Sequence, residues 1–282
     1  MATNQFNNAS FVRSPRFPAV AFKSQHEFQS YLKEHQSGLD IHYAYETSLA
    51  THNAFLTCKG TCAPCLRPAT FVSATQDGER TTDGRRMPNW REQMRCDCED
   101  RLIGRQRALI HFLQASVLAP WTHMLQFGPP GDADRRLKSL VEEATAVLRL
   151  RRSATSANGP SVPLLDAPSA SFHAVVSQDY LNFVPPLQAA MDEIFRELVP
   201  GGRFVFTIPF YFTAPTSEFI SKEVLAFAAE TPMEFRGAGH KLGWDLLSML
   251  TQTGFRDATA YLYWSEELGY LGSMNFLFKA VK

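Results

Sequence analysis

The apolar positions of this chain fall into short runs and helical faces, and their order predicts an alternation of strands and helices. Residues 172–177 form a brief apolar run rich in β-branched side chains, the pattern of a parallel strand buried on both faces. Leu187, Met191, Ile194, Phe195 and Leu198 then share one helical face, which predicts a helix over 187–198. Pro200-Gly201-Gly202 is expected to stop that helix, because proline cannot extend it and glycine supplies positive φ. Residues 203–209 read as the next strand. A strand–helix–strand unit of this size predicts a right-handed crossover in a parallel sheet. Ligands of such sheets bind beyond the carboxyl ends of the strands, so residues 177–180 and 207–210 are where function is expected.

Upstream, residues 105–116 read as a helix with Leu109, Phe112 and Leu113 on one face, and 123–127 as a first central strand. Gly128-Pro129-Pro130-Gly131-Asp132 follows as a turn, then a helix over 133–144 and a second strand over 146–150. Residues 151–163 are rich in Ser, Ala, Asn, Gly and Pro and predict a surface loop. Residues 24–33 predict a short helix capped by Ser24, with Phe28, Tyr31 and Leu32 inward. Residues 1–18 are polar and read as a loose tail. The stretch 58–98 has little helical periodicity and reads as loop-rich. The predicted organisation is a tail and helical segment over 1–54, a cysteine-rich module over 55–104 and an α/β domain over 105–282.

Composition narrows the function classes. The chain has 282 residues, 45% of them hydrophobic, enough for a substantial core. Its 28 basic and 28 acidic residues give zero formal charge, which argues against a global footprint for nucleic acid or an anionic membrane. No apolar run approaches a membrane-spanning length and residues 1–17 lack an apolar signal core, so a soluble cytoplasmic protein is expected. The 22 phenylalanines suit an aromatic-rich core or pocket, core packing being the simpler use.

All five cysteines lie in one segment: Cys58, Cys62 and Cys65, then Cys96 and Cys98. Zinc takes four thiolate or imidazole ligands in a tetrahedron, often from paired knuckles. Cys62-x-x-Cys65 has knuckle spacing and Cys96-x-Cys98 is tighter, so Cys62, Cys65, Cys96 and Cys98 are the expected ligands. Cys58 is the spare, or a replacement for Cys62. In a loop-rich segment the metal would supply folding free energy. Cysteines packed as small hydrophobes are the plain alternative. Disulfides lack a secretion signal, and a redox Cys62-x-x-Cys65 lacks its usual strand–helix context. Eight arginines lie between Arg80 and Arg107, interleaved with Trp90, but five acidic residues sit among them. A solvated mixed-charge face is the expected reading, and nucleic acid is not the expected partner.

Several motifs resemble one family. Phe172-His173-Ala174-Val175-Val176-Ser177, Asp179-Tyr180-Leu181-Asn182-Phe183-Val184 and Leu198-Val199-Pro200-Gly201-Gly202 are similar to the second half of class I S-adenosylmethionine-dependent methyltransferase domains. Gly243-Trp244-Asp245-Leu246-Leu247 through Gly254-Phe255 resembles the helix near the end of that domain, and the resemblance covers roughly residues 120–282. Cys62-Ala63-Pro64-Cys65, Asn89-Trp90-Arg91-Glu92, Cys96 and Arg105-Gln106-Arg107-Ala108 resemble an N-terminal segment of some bacterial methyltransferase-like proteins. The resemblance implies a Rossmann-like, doubly wound and mostly parallel α/β sheet with a small zinc-binding module, used for substrate capture or for contact within a homodimer.

The resemblance also implies S-adenosylmethionine as cofactor, held by Gln126, Phe127, Gly128, Gly131, Asp132, Ser177 and Gln178. The pattern departs from the family at several points. Gln126 replaces the usual acid after the first strand, Pro129 and Pro130 remove backbone donors, and Arg151 and Arg152 stand where an acid meets the ribose. His173 replaces the usual aspartate, and Asn182-Phe183 the usual acid–histidine pair. Asp179, Tyr180 and His240 are the candidate catalytic residues, and the aromatic run 261–270 with Tyr211 and Phe212 is a candidate pocket wall. The implied activity is a transferase acting on a small-molecule acceptor. A degenerate binding protein, and an enzyme using S-adenosylmethionine for non-methylating chemistry such as cyclisation, are the alternatives.

Overall fold

The computed structural model describes residues 15–76, 78–116, 123–128, 133–143, 147–151, 155–156, 159–160, 168–184, 186–220 and 239–282. The chain begins with β1 (Ala19–Phe22), α1 (Gln25–Glu34) and α2 (Gln36–Ser48). The cysteine-rich stretch supplies β2 (Phe55–Cys62), β3 (Arg67–Ala74), β4 (Glu79–Arg80), β5 (Arg86–Met87), α3 (Trp90–Gln93) and β6 (Arg95–Cys96). Next come α4 (Gly104–Ser116), β7 (His123–Phe127), α5 (Asp134–Glu143), β8 (Val147–Arg151) and the short pair β9 (Thr155–Ser156) and β10 (Gly159–Pro160). β11 (Phe172–Gln178), a 3-10 turn (Leu181–Phe183), α6 (Leu187–Glu197) and β12 (Leu198–Thr207) follow. The chain ends with β13 (Glu218–Ile220), β14 (Gly239–Lys241), α7 (Asp245–Thr253), β15 (Asp257–Ser265) and β16 (Tyr270–Val281).

The main sheet has the order β1-β15-β16-β12-β11-β7-β8. β8, β7, β11 and β12 run parallel, while β16, β15 and β1 pair antiparallel in turn beside β12. Alternate side chains leave opposite faces of each strand. Met124, Ala174, Val176 and Val205 join a core with α4 and the cysteine-rich stretch. Leu125, Val175, Phe204 and Phe206 join a second core with Phe28, Met191, Ile194 and Leu250, from α1, α6 and α7. Both faces are therefore covered, as a doubly wound sheet requires. No helix among the described residues is long and apolar enough to cross a membrane.

The expected helices and central strands appear within two residues of their predicted limits, with three differences. The strand expected over 203–209 begins at Leu198, so Pro200-Gly201-Gly202 lies inside β12 and α6 stops before it. The reason is pairing with the chain's last residue: Gly201 donates to the Lys282 carbonyl and Lys282 donates back to Gly202, each at 2.9 Å. Gly201 takes φ of 77°, which glycine adopts without steric cost. Second, part of the expected tail is docked. Phe17 packs edge-on against His111 and Phe112, and His111 Nε2 donates to the Pro15 carbonyl at 2.7 Å; residues 1–14 lie outside the described residues. Third, the cysteine-rich stretch is not mainly loop: β2 and β3 form a hairpin eight residues long on each side, and β6 extends it at Phe71 and Cys96.

Arg107 of α4 ties that hairpin to the main sheet. Its guanidinium is fully buried, stands 4.3 Å over the Phe71 ring, and donates to the carbonyls of Met94 (2.8 Å), Leu102 (3.1 Å) and Gly269 (2.6 Å). These carbonyls come from the cysteine-rich stretch and the β15–β16 hairpin, so one side chain satisfies acceptors on both. Arg107→Leu removes all three donors, and each unsatisfied buried carbonyl costs about 1–3 kcal/mol. Urea unfolding should show the variant less stable by about 3 kcal/mol or more, and a loss below about 1 kcal/mol would contradict this account.

Candidate functional site

The parallel strands end at a common level. Register places Gln126 beside Val176, Phe127 beside Ser177 and Gln178 beside Thr207. Gln126 is buried and donates through Nε2 to the Asp134 carboxylate in the first turn of α5, while its Oε1 has no protein partner among the described residues. Ser177 is also buried, its hydroxyl without a partner among the described residues, and Gln178 is half-buried. Gly128 closes β7 with φ of 135°, and a Cβ placed there would lie 3.1 Å from Tyr180. The Tyr180 ring stands edge-on to Phe127 at 5.4 Å. The loop after β11 therefore lies directly over the end of β7 at Phe127 and Gly128. Gly131 and Asp132 fall outside the described residues.

His240 sits on β14, paired with Phe219 of β13 and packed edge-on against its ring at 5.1 Å. The preceding Gly239 lies against the 3-10 turn, since a Cβ there would come 2.9 Å from the Asn182 carbonyl. Asn182 is fully buried, and both polar atoms of its amide lack a protein partner among the described residues. His240 Nε2 is likewise buried and unpartnered, and burial pulls its pKa below the ordinary histidine value. The β13–β14 pair thus brings a neutral imidazole to the same end of the sheet as Asn182.

Asp179 departs from the expected role of proton acceptor. Its two oxygens each accept from Arg91 at 2.7 Å, and Arg105 Nε stands 3.1 Å away. Arg91 also donates to the Ile208 carbonyl at 3.2 Å, and Glu92 accepts from both Arg91 and Arg105. Burial pushes the Asp179 carboxyl up, but the Arg91 and Arg105 guanidiniums outweigh it and hold the pKa below the ordinary value. A carboxylate held this firmly in its ionised form is a poor base. Sequence reasoning placed Arg91, Glu92 and Arg105 on a solvated mixed-charge face; the structure turns them inward onto Asp179. Local signals explain how they get there. Asn89 caps the single turn α3 by accepting from the Glu92 N–H at 3.2 Å, while Gln93 Oε1 accepts from the Asn89 N–H at 2.9 Å. Trp90 is buried in the core, which turns its neighbour Arg91 toward Asp179.

A cavity of about 260 Å³ opens beside this group, lined among others by Pro88, Trp90, Arg91, Glu92, Met274 and Asn275. β16 runs antiparallel to β12, with Phe206 opposite Phe278, so Met274 and Asn275 lie toward the carboxyl end of β12. Of the run 261–270, Tyr263 and Tyr270 are buried in the core, while Leu262 and Trp264 line a separate cavity of about 230 Å³ with Tyr31, Leu39 and His42.

The cysteines converge. The sulfurs of Cys62, Cys65 and Cys98 lie within 4.8 Å of one another; Cys96, the fourth expected ligand, is buried on β6 but its sulfur falls outside that group. Cys62 ends β2, Cys65 donates its N–H to the Cys62 carbonyl at 3.1 Å, and Leu66 turns the chain with φ of 52°. Tetrahedral zinc with sulfur at about 2.3 Å spaces its ligands about 3.8 Å apart, so this group needs little closure to hold one. Cys58 lies within β2 opposite Phe71, away from the group.

A family model described as a methyltransferase domain matches residues 138–206. No curated protein matches the chain. Among solved structures it is similar to an S-adenosylmethionine-dependent methyltransferase from Mesorhizobium loti, with 14% identity, a TM-score of 0.39, and coverage of 64% of this chain and 98% of the other. It is also similar to a possible histamine N-methyltransferase from Thermotoga maritima, with 14% identity, TM-score 0.35, and coverage of 58% and 84%. A third is a phosphoethanolamine N-methyltransferase from Haemonchus contortus, with 14% identity, TM-score 0.39, and coverage of 63% and 52%. The strand order and the matched segment make this an α/β methyltransferase fold.

The Asp179 pair has a pH consequence. A carboxyl whose folded pKa is depressed contributes stability that is present above its unfolded value, about 4, and is lost as pH falls through the folded value. Asp179→Asn leaves one buried positive charge of the Arg91–Arg105–Glu92 group uncompensated and should lower stability at neutral pH by about 3–5 kcal/mol. Urea midpoints followed from about pH 7 to about pH 3 should fall less steeply below pH 4 in this variant than in the wild type. Parallel acid limbs would contradict the assignment.

Proposed function

We propose that the chain is an S-adenosylmethionine-dependent transferase of methyltransferase type acting on a small-molecule acceptor, and that Cys62, Cys65, Cys96 and Cys98 hold a structural zinc ion. The observation that carries the first reading is the crevice at the ends of β7 and β11, which joins the matched segment. There the positive-φ Gly128 lies at the strand ends beside buried Gln126 and Ser177 oxygens that lack protein partners among the described residues. Buried polar atoms of this kind call for a polar ligand or water, and they fit the hydroxyl and amino groups of such a cofactor. Gln126, Phe127, Gly128, Ser177 and Gln178 would hold it, together with Gly131 and Asp132, which lie outside the described residues. Bound there, S-adenosylmethionine supplies an electrophilic methyl group on a sulfonium.

The chain's own residues do the rest. The Tyr180 ring covers Phe127 and Gly128. His240 Nε2, neutral and unpartnered, can accept a proton given up by an acceptor hydroxyl or amine. Asp179 holds no such role, being committed to Arg91 and Arg105. The position of Tyr180 against Gly128 also favours a second reading, a binding protein of the same fold without turnover.

Calorimetry with S-adenosylhomocysteine tests the cofactor: micromolar binding is expected, and none at millimolar ligand would sink both the transferase reading and any other use of the cofactor. For the cysteines, metal analysis should find one zinc per chain. Cys65→Ser should lose most of that metal together with stability, and full metal content in this variant would refute the ligand set.

A further inference from the structure

Asp179 is the first residue after β11, and its φ of 45° is left-handed. A non-glycine residue keeps that conformation only where its surroundings hold it, and such residues gather at functional sites. Two sets of contacts hold Asp179. Its N–H donates to the Thr207 carbonyl at 2.9 Å, and its carboxylate meets the guanidiniums of Arg91 and Arg105. Both arginines arrive from outside the parallel sheet, Arg91 on the capped turn α3 and Arg105 in the first turn of α4. Glu92 lies between the two guanidiniums and orients both. The very next residue, Tyr180, covers Phe127 and Gly128. A change of backbone at Asp179 would therefore swing the ring that closes the crevice.

We propose that Arg91 and Arg105 are positioning residues for this crevice: Arg91 from the cysteine-rich segment, together with Arg105 of α4, holds Asp179 in its left-handed turn and thereby sets Tyr180 over Gly128. The module then acts on the cofactor site without touching the cofactor. The inference rests on the S-adenosylmethionine reading only for its binding consequence, and its backbone consequence stands apart from any ligand.

Arg91→Lys is the test, because lysine keeps the charge and loses the planar fork that grips both oxygens. Hydrogen exchange of the ligand-free protein should quicken about fivefold or more over residues 177–184, and S-adenosylhomocysteine should bind about fivefold or more weakly, the low end of coupling between distinct sites. Leu56→Ala, which thins the core under the β2–β3 hairpin, is the comparison for a merely structural loss. It should leave the exchange of 177–184 and the affinity as they are in the wild type. Unchanged exchange over 177–184 in Arg91→Lys overturns the proposal, and so does equal weakening by Leu56→Ala. Should Arg91→Lys not fold, Arg105→Lys carries the same comparison. If no form binds S-adenosylhomocysteine, the cofactor reading falls, and the exchange measurement alone decides this one.

Discussion

Arg91 offers two N–H groups to the two oxygens of Asp179 at a place where little water reaches either. Removing two charges from water costs several kcal/mol each, and their attraction repays this only when geometry is good and the remaining polar atoms are satisfied. Here the fork is bidentate, Arg105 and Glu92 complete a neutral group of four, and the Ile208 carbonyl takes a further donor. Most of the arrangement around the crevice follows from that requirement. The capped turn α3, the start of α4, the end of β11 and the segment after β12 must all reach one point before any of the four charges can be buried.

A second buried arginine makes the same kind of connection without a carboxylate. Arg107 donates to three carbonyls and lies over Phe71, so its charge is spread over peptide dipoles and a ring face. Both arginines join the cysteine-rich stretch to the rest of the molecule, and that stretch shares one hydrophobic core with α4 and a face of the main sheet. A metal held by the four thiols would stiffen the hairpin from which these contacts depart. Folding of the cysteine-rich stretch and shaping of the crevice are in this way parts of a single packing problem.

The crevice combines tight closure with unfinished polar pairing. Tyr180 fits against Gly128 so closely that a methyl group there would crowd it, while Gln126, Ser177 and Asn182 keep buried polar atoms with no partner among the described residues. Interiors rarely leave such groups empty-handed, which makes them the most specific pointer to a bound polar molecule. The acid that usually follows the first strand is replaced by Gln126, whose amide instead donates to Asp134. One member of the expected grip has thus been turned to holding the start of α5.

The sequence by itself determined the parallel strands and the helices between them, because burial on both faces of a sheet and on one face of a helix leaves periodic apolar runs at residues such as Val175, Met191 and Phe204. It pointed to a thiol cluster too, since Cys62-x-x-Cys65 needs only a short spacing, and the structure brings Cys98 to that pair. The β2–β3 hairpin was hidden because its strands mix Thr, Lys, Gly and Cys and become a surface only by packing on Phe71 and its neighbours. The role of Arg91 and Arg105 was hidden for a different reason. Amid Glu92, Asp97, Glu99 and Asp100 a run of arginines looks like solvated surface, and no local pattern tells which of them meets an aspartate 88 positions along the chain. Only the tertiary structure decides that pairing, because the favourable energy of an ion pair depends on which charges lose their water together, and desolvation is a property of the assembled fold.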